Sequence, residues 1–555
     1  MAESNDGLLT QNARRGLNRL IGGCLVVFLL AALVIGAWIG WPYVAPMLVS
    51  KPAVATSAPV AQATAAQTVK PTTAPNVAPT KIPEILKPTQ SNLPVVKVLV
   101  SNFAPYLIPV MGDQFGVFTK RGIRVEFVYM GMDGQNKLTE KEQADWMRSN
   151  KANVLMTTLD KVPSDSTIGR VTFLMNQTIG ADKLVCSQKL SLNDIVGKKI
   201  AVVTGSVDEV FVLYILNLMQ VDPAKVTLVQ AGDITEAVQL FLDGKVDCVS
   251  GWTPDIEPAL AKGAEIINSK TVRFPVDVMV FSPDSVNRQV VMQAYMDGYA
   301  ESLKILMENP DMAEEAVLKF GHSDWTYVEK KGDWIAALND VALASLVDNE
   351  THFVSDNKPL KDRLNEVLDI LAWSGRSPKE KVDPAQMFDA TYVKNSATKA
   401  DLRPKSASDK LNFDFLLTSK SQAPKLKAAD LGANVTTLAV LPFKDVKFQP
   451  DSTLLTDADK ANIKKFVAPV LLSSDTIYLK LTGSAAWPNN NYTADDIQSF
   501  ALARAQAVQK FLTSPEVGVH PSRIIVAAVR PVAVMSAVDQ AKARFVQFEL
   551  IVEGR

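Results

Sequence analysis

Thr204-Gly205-Ser206 lies between the apolar run Ile200–Val203 and a second apolar run that begins at Val207. A short polar turn between a strand and a helix leaves backbone N–H groups of Gly205, Ser206 and Val207 at the helix start, where the dipole favours negative charge. The chemistry this pattern could do is capture of an anionic or polar ligand group, with Thr204 and Ser206 hydroxyls as further donors. An ordinary helix cap at Ser206 or Thr204 fits the same residues. Trp252 closes the run "VDCVSGW" and could wall or stack on a small molecule, or simply pack between lobes. Ser101 and Asn102 end another apolar run, followed by Phe103, and Thr157, Thr158 and Asp160 end a third. Strand ends of one layer face one cleft, so the expected ligand site comprises Ser101, Asn102, Thr158, Asp160, Thr204, Gly205, Ser206 and Trp252. Asp160, unless it only caps a helix or faces solvent, favours an amine-bearing or zwitterionic ligand over a bare anion.

Catalytic patterns do not occur. The chain has no Ser-His-Asp order, nucleophile elbow, Walker loop or paired-carboxylate motif. Three histidines (His322, His352, His520) and three cysteines, without CxxC or HxxxH spacing, leave little material for a metal site. We therefore expect a non-enzymatic protein with no catalytic residue, metal or cofactor. A net charge of −1 over 555 residues argues against nucleic-acid binding. A disulfide between Cys186 and Cys248 is chemically possible in an exported chain, but both fall in expected strands, where free buried cysteine is also common.

The elements that must position these residues fall into blocks. Residues 20–41, "LIGGCLVVFLLAALVIGAWIGW", carry no charge and are long enough for a bilayer core of ~30 Å. Arg14, Arg15 and Arg19 precede them, so residues 1–19 are expected in the cytoplasm and the bulk of the chain in the periplasm. The expected location is the inner membrane, single-pass and uncleaved. Residues 42–94, rich in Ala, Pro and Thr, read as a disordered tether. From Val95 strands and helices alternate in two cycles through residue 393, predicting two parallel, doubly wound α/β lobes around a cleft. Residues 394–435 read as a polar linker, and residues 436–555 as a small βαβαββ module.

Two resemblances follow from particular motifs. "LNDIVGKKIAVVTGSVDEVFVLYILNLMQVDPAKVTLVQ" and "AVQLFLDGKVDCVSGWTPDIEPALAKGA" resemble periplasmic solute-binding proteins of the nitrate/sulfonate/taurine and thiamine-precursor type. This likeness implies a two-lobed, type II-like binding-protein fold over 95–393. "VKFQPDSTLL", "LTGSA", "ARAQAVQKFL" and "GVHPSRIIVAAVRP" resemble the OmpA-like peptidoglycan-associated domain. That family grips the wall peptide with an aspartate after a Gly turn and an arginine on the next helix. The arginine position matches Arg504, whereas the aspartate position holds Ala486, so peptidoglycan is expected as a weakened partner at most. Asp495 and Asp496 lie nearby, but nothing in the sequence requires them to take the aspartate's place.

The combined expectation is an envelope protein that binds or senses a small solute in its cleft and docks near the wall. The alternative is a scaffold or stator-like subunit of a membrane complex, whose cleft is empty of function. Residues 20–41 hold no carboxylate that could carry protons, so a stator role would require a partner.

Overall fold

The computed structural model describes residues 92–130, 138–321, 327–378, 382–415, 435–441, 446–472, 474 and 476–553. The expected cytoplasmic segment, the apolar segment 20–41 and tether residues 42–91 lie outside the described residues. Among the described residues no helix is long and apolar enough to cross a membrane.

Eleven strands build the middle of the described chain: β1 (Val95–Val100), β2 (Arg124–Tyr129), β3 (Val154–Thr158), β4 (Arg170–Thr178), β5 (Asp182–Cys186), β6 (Lys199–Val203), β7 (Thr227–Ala231), β8 (Cys248–Trp252), β9 (Ala264–Asn268), β10 (Val276–Phe281) and β11 (Val341–Leu343). They form two sheets, in the orders β11-β4-β10-β3-β1-β2 and β7-β6-β8-β5-β9. The chain passes between the sheets twice, through residues 179–181 and again through residues 269–275. Two lobes joined by two crossing segments are the layout of a binding-protein cleft.

The expected parallel order holds only in part. β1 pairs parallel with β2 and β3, as βαβ crossovers require. β10 returns from the second lobe, enters the first sheet from the opposite direction, and pairs antiparallel with both β3 and β4. β5 likewise pairs antiparallel with β8 and β9. Both sheets are therefore mixed, because each lobe receives a strand from the other. After β10 the chain forms two consecutive helices, Gln289–Glu308 and Pro310–Phe320. Pro310 lacks an N–H and disfavours a helical residue before it; Asn309 accordingly sits at φ −144, ψ 66.

The expected linker at 394–435 begins later than its composition suggests. A helix spans Thr391–Ala397, and Leu402, Leu411 and Phe415 are buried in the first-lobe core. Leu343 N donates to Asn412 O at 2.8 Å, tying this polar stretch to the edge strand β11. Residues 416–434 are outside the described residues.

The C-terminal module contains β12 (Val435–Val440), β13 (Val446–Lys447), β14 (Tyr478–Gly483), β15 (Ile524–Ala528) and β16 (Phe545–Glu553), ordered β12-β16-β14-β15 with β13 also on β16. Helix Ala494–Leu512 starts with a reciprocal cap between Thr493 and Asp496 and packs on β14 and β15. Gly483 makes that approach possible, because a Cβ there would overlap the carbonyl oxygen of Ala501. The module shares a hydrophobic core with the second lobe, and the Asn193 side chain exchanges two hydrogen bonds with the Val440 backbone.

Candidate ligand-binding cleft

The two crossing segments open into a cavity of ≈ 220 Å³ between the lobes. The first lobe contributes Ser101, Asn102, Phe103 and Tyr106 after β1, and Thr157 and Thr158 at the end of β3. The second contributes Ser206 and Val207 at the start of helix α1 (Val207–Leu218), Asp233 to Thr235, and Trp252 with Asp255. The crossings themselves supply Thr178, Asp182, Pro275 and Asp277. A cavity this small suits a metabolite of few atoms.

Of the expected residues, Ser101, Asn102, Thr158, Ser206 and Trp252 line this cavity, whereas Asp160, Thr204 and Gly205 do not. Asp160 is buried at 5% exposure and acts on the cavity through its charge, which raises the pKa of both Asp182 and Asp277. Thr204 and Gly205 are exposed, with Gly205 in the left-handed region at φ 71.

Two of the three amides expected to meet a ligand at the helix start, those of Gly205 and Ser206, are bonded within the protein, which corrects the role expected of them. Gly205 N donates to Glu209 Oε2 at 3.0 Å, Ser206 N to Val203 O at 3.2 Å, and Thr204 N to Ala231 O at 3.2 Å. Asp208 accepts from Val203 N at 2.9 Å and from the Ser206 hydroxyl. Thus Asp208 and Glu209, in the first turn of α1, take the place a ligand anion would occupy. Asp208 is fully buried; burial pushes its pKa well up, and the neighbouring charge of Glu209 adds to this. Glu209 is paired with Arg376 from the segment after helix Lys358–Trp373.

Two carboxylates absent from the expected site dominate the cavity instead. Asp277 is 1% exposed and accepts from Tyr106 Oη at 3.2 Å on Oδ1, while its Oδ2 has no hydrogen-bond partner among the described residues. Asp182 is 2% exposed, and its Oδ2 also has none among them. Burial pushes Asp277 up to about 8, helped by the charges of Asp182 and Asp160 and eased by Asn176 and Tyr106. Burial pushes Asp182 and Asp255 up to about 6. The sequence did hold a signal for these residues. An aspartate inside an apolar run, as in "FPVDVMVF", is costly unless it is paired or used.

Arg504 corrects a further expectation. It is 1% exposed, and its guanidinium donates to the carbonyls of Ser452 (3.1 Å), Ser484 (3.0 Å) and Gln449 (3.2 Å), between the rings of Phe448 and Phe500. Burial, with the nearby charge of Arg544, pushes its pKa down to about 10. Asp495 pairs with Arg530 and Asp496 caps its own helix, so neither replaces the carboxylate missing at Ala486. The arginine ties loops together inside the module and is not presented to a wall peptide.

Cys186 and Cys248 form a disulfide between β5 and β8, where they are directly opposed. Among the described residues no group of three His, Cys, Asp or Glu is placed to hold a metal ion.

Residues 101–314 match the NMT1/THI5-like family. Over those residues the chain has a mixed α/β fold like that of periplasmic solute-binding proteins. An ABC transporter periplasmic binding protein of Brachyspira hyodysenteriae is 28% identical over 127 residues, which are 22% of this chain and 36% of that relative. The chain therefore spans about a third of the length of the curated relative it matches. A periplasmic sulfonate-binding protein from Methylobacillus flagellatus is 16% identical, with a TM-score of 0.42 over 57% of this chain and 99% of its own. The periplasmic nitrate-binding protein from Synechocystis is 12% identical, with a TM-score of 0.43 over 57% and 93% of the two chains.

The expected single-pass inner-membrane location is corrected by these findings. The curated relative is a periplasmic binding protein, and no helix among the described residues can cross a membrane.

Proposed function

We propose that the protein is a non-enzymatic periplasmic binder of a small solute, held between the two lobes at their crossings. The observation that carries this reading is the cavity itself, in which buried oxygens of Asp182 and Asp277 lack any partner among the described residues. Desolvated carboxylate oxygens are costly, and a ligand that pairs with them recovers that cost. We read the C-terminal module as OmpA-like on its sequence motifs, and because Arg504 is committed to three carbonyls we assign it to protein contact near the wall and not to a clasp on wall peptide.

The test is native mass spectrometry of the full chain together with small-angle scattering. A retained small molecule, whose removal expands the particle, is the expected result. A protein that carries no ligand, and whose scattering no metabolite changes, would favour the scaffold reading. That second reading draws on the core shared between the second lobe and the C-terminal module.

A further inference from the structure

We propose that the cleft takes a small organic cation bearing N–H donors (a protonated amine, amidinium or guanidinium) and not an oxyanion, an inference that rests on the solute-binding function above. The acceptor side comes first. Oδ2 of Asp182 and Oδ2 of Asp277 are buried, unpartnered among the described residues, and part of the cavity wall. In their ionised form such oxygens only accept, so a hydrogen-bond donor satisfies them, and a charged donor does so about twice as strongly as a neutral one.

On the donor side, the Gly205 and Ser206 amides at the start of α1 are taken up within the protein, which leaves the Thr158 and Thr178 hydroxyls as the unpartnered donors of the wall among the described residues. Glu209 accepts from Gly205 N and Asp208 from Val203 N, so two backbone donors beside the cleft are already used. The described lining has four aspartates, Asp182, Asp233, Asp255 and Asp277, against one lysine, Lys161. Lys183, beside Asp182, donates its ammonium to Gly180 O at 2.6 Å. Asp160 stands behind and its charge reaches both crossing carboxylates. Phe103, Tyr106 and Trp252 complete the wall with ring faces and edges that suit a cation. A metal ion is a poorer occupant, since the described carboxylates are not gathered as a ligand set.

Proton linkage gives the inference a second readout. Asp277 sits at about 8 and holds its proton near neutrality, while Asp182 and Asp255, at about 6, hold theirs only toward pH 6. A bound cation favours their ionised forms. Binding therefore releases protons and tightens as the pH rises from 6 to 8.

The experiment is titration calorimetry of the full chain at pH 6 and pH 8, in two buffers of different ionisation enthalpy, alongside native mass spectrometry. The probes are agmatine, putrescine, choline, nitrate, ethanesulfonate and neutral 4-aminopyrimidine. Agmatine or putrescine should bind, at least tenfold tighter at pH 8, with a buffer-dependent heat that reports proton release. Asp277→Asn, an isosteric change, should weaken that binding tenfold or more, and Asp182→Asn should do the same, with circular dichroism unchanged in both. Nitrate or ethanesulfonate binding in place of the amines would overturn the ligand class and leave the solute-binding function standing. Choline binding as tightly as agmatine would overturn the need for N–H donors, and equal binding of 4-aminopyrimidine the need for charge. If no probe gives heat, a retained cationic molecule in the native spectrum supports the class and a retained anionic or neutral one overturns it. No heat and no retained molecule would overturn both the class and the solute-binding function.

Discussion

Asp182 and Trp252 stand directly opposite each other in the β5–β8 ladder, as Asp277 stands opposite Thr158 between β10 and β3. Each lobe therefore brings one residue to the cleft by ending a strand, and each crossing places a carboxylate beside it. The antiparallel pairing that brings a return strand into each sheet is the direct cause. These placements, and the packing around them, have four measurable consequences.

The apo protein should lose stability as the pH rises from about 4 to about 8. The folded state raises Asp277 above its ordinary carboxylate value to about 8, so the folded chain binds more protons than the unfolded chain within that window. Asp277→Asn removes this term. At pH 8.5 the variant should be more stable than the natural protein, by an amount on the order of a few kcal/mol. Calorimetric melting of both proteins between pH 4 and pH 9 checks it, and parallel curves would refute the buried-carboxylate account.

Arg504→Ala should destabilise the C-terminal module by roughly 3 kcal/mol or more, because three carbonyls lose their donor together. Arg504→Lys should recover little, since a single ammonium lacks the planar fork that reaches all three. Urea unfolding followed through the fluorescence of Trp487 reports on this part of the chain. Wild-type stability in Arg504→Ala would show that the arginine is not a structural tie.

Gly483→Ala should be far more damaging than Gly205→Ala. The first drives a Cβ into Ala501 O, between strand and helix, where only backbone can move. We expect a cost on the order of 3 kcal/mol or more for this overpacking. Gly205 sits at φ 71, and no atom lies within 4 Å of the place an alanine methyl would take. Its substitution therefore costs only the left-handed backbone, about 1 kcal/mol. Melting temperatures of the two variants should differ in that order.

Replacing both Cys186 and Cys248 by Ser should lower stability by up to about 4 kcal/mol, the chain-entropy value for a closed loop of this length. The two cysteines are 62 positions apart in sequence. Equilibrium unfolding with and without reductant measures the same quantity in the natural protein. Agreement between the two measurements is the expected outcome, and a reductant effect that persists in the double variant would contradict it.

Local pattern was legible wherever one element decided it. The turn at Thr204–Ser206 reads as a helix start in the sequence, and α1 begins at Val207 as its apolar run implies. The cap residues Thr493 and Asp496 likewise announce the last long helix. What the sequence left hidden depends on long-range pairing. Val276–Phe281 reads as one more buried strand, and nothing local states that it enters the first sheet backwards with Asp277 at the cleft. The same holds for Asp208 and Glu209, which look like ordinary first-turn acids. Their acceptance of amides at Val203 and Gly205 emerges only from the folded turn. Arg504 matched a family position by sequence, yet its burial is set by Phe448, Phe500 and three carbonyls from distant loops.

Asp182 and Asp277 lie beside the two crossings, which makes the ligand's seat a fulcrum. A molecule held there has a short lever arm, and a shift of a fraction of an ångström at its contacts corresponds to a rotation of one whole lobe. The C-terminal module is fastened to the second lobe through Asn193 and Val440, so it travels with that lobe as the far end of the beam. Any closure of the lobes on a ligand in the cavity of ≈ 220 Å³ would therefore carry that module with it.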